Sequence, residues 1–237
     1  MSTPNPELMR SLGRLARGLS ALFWGLPAAL ISCVLMIRAD FLKLSVLVPA
    51  VAAMGLWSFG LWQMSAFQRQ ERPWRNALDR ARLLALINLG FCPFLYWWNR
   101  FPSDPYFTAG VQVLVFAGVL FLFSLNQVIA RLGAMLPDET LRLETRSFTF
   151  MNRLLLVALV AAVGVHFLLQ TRQPHVAANL TILLSLLEYY HIRFWLLVFL
   201  FLLPLAMTMA LIWKAKEVIF ESVFSGRESS SSSFSSS

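Results

Sequence analysis

Long apolar runs alternate along this chain with short arginine-rich stretches, and the runs carry the first inference. Segments 19–37, 41–67, 83–98, 107–130, 154–170 and 194–213 are dominated by Leu, Val, Ala, Phe and Trp. Most reach the length needed to cross about 30 Å of hydrocarbon as a helix. In lipid an unpaired backbone amide costs several kcal/mol, so a spanning segment must be a helix or part of a closed barrel. The runs are continuous rather than alternating, which excludes the barrel. The pattern predicts an all-α, polytopic transmembrane helical bundle of six spans.

The stretches between the spans have patterns of their own. In 1–18, Leu8, Leu12, Leu15 and Leu19 recur at helical spacing with Arg10, Arg14 and Arg17 between them. That is a basic amphipathic helix suited to the headgroup region. Pro73 suits a first helical turn, after which Trp74, Leu78 and Ala81 share one face leading into the third span. The stretch from Pro137, with Asp138, Glu139, Arg142, Glu144 and Arg146, reads as a solvated helix before the fifth span. Segment 174–193 is ambiguous. Its apolar part, 176–187, is too short to span, so an interfacial or re-entrant helix is expected; a full crossing would make seven spans and place the tail outside. Beyond 213 a cytoplasmic tail, 214–237, ends in serine-rich sequence expected to be disordered.

Composition supports this reading. Hydrophobic residues are 58% of 237 and charged residues 14%, against about 45–50% and about 25% in soluble domains. The net charge of +8 would fit a nucleic-acid partner, but no basic cluster with interleaved aromatics stands outside the loops. Fifteen of the twenty basic residues fall in alternate segments, beginning with the N-terminal one. Basic residues are retained on the cytoplasmic side, so both termini are expected there. A bacterial cytoplasmic membrane is the expected location. Tyr96, Trp97, Trp98, Phe101, Tyr106 and Phe107 would anchor the turn between the third and fourth spans at the opposite interface.

Candidate chemistry is sparse. Ser32-Cys33 closes a stretch resembling a bacterial lipidation motif, but the apolar run continues past it, and Cys33 reads better as a small packing residue. With Gly25 and Ala29 it forms a stripe of small residues that allows close helix approach. Pro27 and Pro204 interrupt spans, as broken helices in transporters do. Asn88 and Asn126 are expected near one depth, and with the two prolines they outline a candidate substrate path. Gln63, Gln112, Gln127 and Thr208 are further polar residues within spans. His166 and His191 could share a depth and hold a metal or haem, the one cofactor the sequence suggests. No acidic or basic residue lies at the centre of a span, unlike most proton- or ion-coupled carriers. Nor is there a catalytic motif of the familiar hydrolase, metalloprotease or phosphate-loop kinds.

These patterns point to a non-catalytic membrane subunit or scaffold, its partners the lipid bilayer and another membrane protein or a second copy. The alternatives are a transporter or channel for a small uncharged or lipidic substrate, and a haem- or quinone-linked redox subunit.

Overall fold

The computed structural model describes the backbone of residues 6–38, 47–67, 70–101, 103–135, 139–171 and 192–232, with side-chain surroundings lacking at 6–9, 37–38, 139–146, 165–171, 192–197 and 221–232. Among the described residues all regular structure is helical. The helices are α1 (Pro6–Arg38), α2 (Leu47–Met64), α3 (Arg72–Arg100), α4 (Pro105–Met135), α5 (Glu139–Thr171) and α6 (Ile192–Ser232). All six are long and apolar enough to cross a membrane, so the chain is a multi-pass helical membrane protein. Helical periodicity and hydrophobic length therefore lead to the expected class of fold.

The boundaries differ from the runs in instructive ways. α1 is one helix of 33 residues, with no break between the N-terminal amphipathic segment and the span. Leu15 and Leu19 are fully buried in the common core, while Arg10, Arg14 and Arg17 stay exposed. The apolar stripe continues unbroken and meets α2 alongside it, so the same face that would suit a headgroup layer packs on protein. α2 stops at Met64, short of the expected Phe67; Ser65 and Phe67 donate backbone hydrogen bonds to Trp62 and Met64. That turn places Phe67 edge-on to Trp74, with centroids 6.2 Å apart. α3 starts at Arg72 with Pro73 in its first turn, where a missing N–H removes no helical bond. Trp74, Leu78 and Ala81 then lie buried along one face. α6 carries helical backbone through Ser232, into serine sequence expected to be disordered. A helix already nucleated propagates at only a few tenths of a kcal/mol per serine. Segment 174–191 lies outside the described residues.

α1 packs mainly on α2, and α3 on α4. Gly18 and Gly60 stand face to face, and farther along α1 Gly25 meets Trp57, so these two helices run antiparallel. Arg82 of α3 donates to the Leu61 carbonyl of α2 at 3.3 Å. Through the middle, Trp57 of α2 stacks on Phe121 of α4 with centroids 4.5 Å apart and planes inclined by 12°. One end of the α3–α4 hairpin is aromatic: Trp97, Phe101 and Phe107 stack pairwise at 6.2 to 6.4 Å. There Asn99 donates to the Met36 carbonyl of α1 at 2.9 Å, satisfying an acceptor near that helix's C-terminus. The opposite end of the hairpin bears Arg80 and Arg131.

Candidate functional site

The most connected polar feature joins α4, α5 and α6 through Asn126, Asn152 and Thr208, which are 2%, 0% and 0% exposed. Asn152 Nδ2 donates to Asn126 Oδ1 at 2.9 Å and to Thr208 Oγ1 at 3.0 Å. Asn126 Nδ2 donates to Thr208 Oγ1 at 3.1 Å and to the Leu122 carbonyl at 2.9 Å. The Thr208 hydroxyl gives its own proton to the Pro204 carbonyl at 2.7 Å. A hydroxyl has one proton and two lone pairs, and an amide NH2 has two protons. Every one of those valences is used here. Within the knot, Asn152 Oδ1 alone is shielded without a partner. Polar groups this deep are tolerated because they satisfy one another.

Beside this knot a cleft of about 530 Å3 opens between α3, α4 and α5. Asn126 forms part of its wall, with Gln127 and Arg131 from α4, Asn76 and Arg80 from α3, and Thr149 and Arg153 from α5. Arg80, Arg131 and Arg153 are all exposed. The Arg153 guanidinium lies 5.2 Å from the centroid of the Phe123 ring, a cation–π distance that holds it against the wall. Thr149 Oγ1 is shielded from solvent and has no partner. Such an arrangement can bind an anion through several donors. Its described lining residues include no carboxylate, thiol or imidazole.

The expected path residues do not converge on one place. Asn126 is at the knot and in the cleft wall, and the Pro204 carbonyl accepts from Thr208 in the same knot. Asn88 is elsewhere: its amide donates to the Leu84 carbonyl at 2.7 Å and its Oδ1 lies near Gly118. Gly118 is two turns from Asn126 along α4, or about 12 Å at 1.5 Å per residue. The two asparagines therefore occupy different depths, contrary to expectation. α3 and α4 pair with Arg80 near the level of Asn126, and Asn88 follows two turns deeper. Pro27 lies within α1, a helix that contributes nothing to the cleft. Cys33 is half-buried in the same uninterrupted helix. His191 lies outside the described residues, as does the side chain of His166, so the expected haem pair falls beyond them. Among the described residues no group of three His, Cys, Asp or Glu side chains comes together.

The expected fifth span begins at Leu154, which places Asn152 in the solvated helix before it rather than among the polar residues within spans. The signal was present: the window Ser147–Gly164 has a mean hydropathy of 1.7 and includes Asn152 among Phe148, Phe150 and Met151. The gathering of Arg80, Arg131 and Arg153 had no sequence signal, since the three sit in separate segments. Comparison with family models, with curated proteins and with solved structures returns no significant match.

Proposed function

We propose that this protein is a non-catalytic membrane subunit or scaffold, inserted with both termini on the cytoplasmic side of a bacterial cytoplasmic membrane. The observation that carries the reading is the uneven engagement of α5. On one side Asn152, Leu156 and Leu159 are buried against the bundle, with Asn152 tied into the knot. On the other, Phe150, Met151, Leu154 and Val157 are each more than half exposed. Only 17% of the α5 window is buried, against 56% for α4. In lipid, helix association rests on packing and interhelical hydrogen bonds rather than on hydrophobicity. A span with one polar anchor and a broad free face suits contact with another membrane protein or a second copy. Purification in mild detergent should recover a stoichiometric partner or an oligomer, and substituting Leu154 and Val157 by tryptophan should dissociate it. Recovery of a monomer alone, under conditions that keep membrane complexes intact, would sink the reading.

A second reading, a transporter of a small uncharged or lipidic substrate, is favoured by the cleft reaching Asn126 and by Pro204 within the adjoining knot. In reconstituted vesicles Asn126→Ala and Pro204→Ala should then change flux, whereas absence of flux across a broad solute panel counts against it.

A further inference from the structure

Where α3, α4 and α5 meet, Arg80, Arg131 and Arg153 converge from three helices on one cleft of about 530 Å3. Among the described residues no Asp or Glu lines it. The Arg82–Asp79 ion pair, at 3.6 Å, involves a different arginine. Three like charges around one space raise its positive potential and favour an anion within it. Two further details give the cleft the character of a binding site. Arg153 is held on the Phe123 ring at 5.2 Å, so part of its side-chain freedom is already restricted. Thr149 Oγ1 is shielded and lacks a partner, a costly state that an anion's oxygen would relieve. Asn76 and Gln127 add amide donors from the other two helices.

The shape of the demand is specific. Planar guanidinium forks and a hydroxyl donor match the several oxygens of a phosphate better than a single carboxylate or halide. Immediately beside Thr149 and Arg153 on α5, Phe150 and Leu154 are 71% and 63% exposed. An anion held in the cleft thus lies next to a surface that suits acyl chains. We propose that the cleft is a binding site for a phosphate group, the chemistry shared by acidic phospholipid headgroups and free phosphate. Basic pockets between membrane helices on the cytoplasmic side take acidic headgroups by this means. The site stands whether or not α5 engages a protein partner, because its donors face α3 and α4.

The test uses the full-length protein, delipidated in detergent and titrated with phosphatidylglycerol, phosphatidylcholine or inorganic phosphate. Binding is read by native mass spectrometry and by the shift in thermal unfolding. Phosphatidylglycerol should bind more tightly than phosphatidylcholine and raise the unfolding temperature. Arg80→Gln, Arg131→Gln and Arg153→Gln should each weaken it about fivefold, the effect of one surface cation on an acidic lipid. Arg100→Gln, exposed at the aromatic end, should not. A matching, arginine-dependent shift with inorganic phosphate assigns the site to free phosphate, and a shift with phosphatidylglycerol alone assigns it to a lipid. The three arginines are exposed, so their variants should unfold at the wild-type temperature without ligand. The proposal is overturned if these folded variants bind both probes as the wild type does, or if the wild type binds neither.

Discussion

Between α1 and α2 the contact is made by backbone. A Cβ on Gly18 would lie 2.7 Å from the Gly60 carbonyl oxygen, and one on Gly60 would lie 2.8 Å from that of Gly18. Between α4, α5 and α6 it is made by side-chain hydrogen bonds, through Asn126, Asn152 and Thr208. Both corners hold helices together in a setting where apolar burial supplies little driving force. The first gains dispersion over a closely fitted apolar surface and depends on residue size. The second gains a few directional bonds and depends on chemical identity. Size rules suit a hairpin joined by a short connection, which already brings its helices together. A specific polar knot suits α5, which otherwise engages its neighbours thinly.

Four substitutions, with Gly55→Val as a control and Thr208→Val as a double-mutant partner, can break this contrast. Trp57→Ala removes the ring stacked on Phe121 and should have the largest effect, a loss of about 3 kcal/mol in reversible unfolding in mixed micelles. Gly60→Val should cost about 2 kcal/mol, because the added carbons meet the Gly18 backbone, which cannot rotate away. Gly55→Val is its control: a Cβ there meets nothing within 4 Å, and equal losses at the two positions would show that close approach is not what joins α1 to α2. Asn152→Ala should cost about 1 kcal/mol, within the range for interhelical hydrogen bonds. In a double-mutant cycle with Thr208→Val the losses should fall short of additivity, since both remove the Asn152–Thr208 bond; strict additivity would dissolve the knot into independent contacts. Arg153→Gln should change stability least, by under about 0.5 kcal/mol, because its side chain is exposed and only leans on Phe123. Its consequence belongs to ligand binding, so a stability loss as large as that of Asn152→Ala would make Arg153 a structural residue.

Some of this was legible beforehand for identifiable reasons. Pro73, Trp74, Leu78 and Ala81 announced the start and buried face of α3, because capping and helical periodicity are local properties. The aromatic grouping of Trp97, Phe101 and Phe107 was visible because a short turn brings neighbours in sequence together in space. Asn126 and Thr208 stood out as polar residues in apolar surroundings. Asn152 did not, since it stands two residues before the apolar run and follows a stretch of mixed charge that reads as a solvated helix. The depth of Asn88 is not legible for a related reason. Depth depends on the register between α3 and α4, and no residue in either helix states that register alone. The role of Gly18 was equally hidden, because a glycine in a helix matters only through what stands opposite.

By itself the sequence determined that the chain is helical and that six of its helices are long and apolar enough to cross a bilayer. Those properties follow from hydrogen-bond satisfaction in lipid and from hydrophobic length, which act along a single segment. Only the tertiary structure decided that Gly18 meets Gly60, that Asn126 finds Asn152 and Thr208, and that three distant arginines surround one cleft. Those are pairings between segments, set by side-chain shape and donor–acceptor complementarity across an interface, and one helix does not encode its register against another.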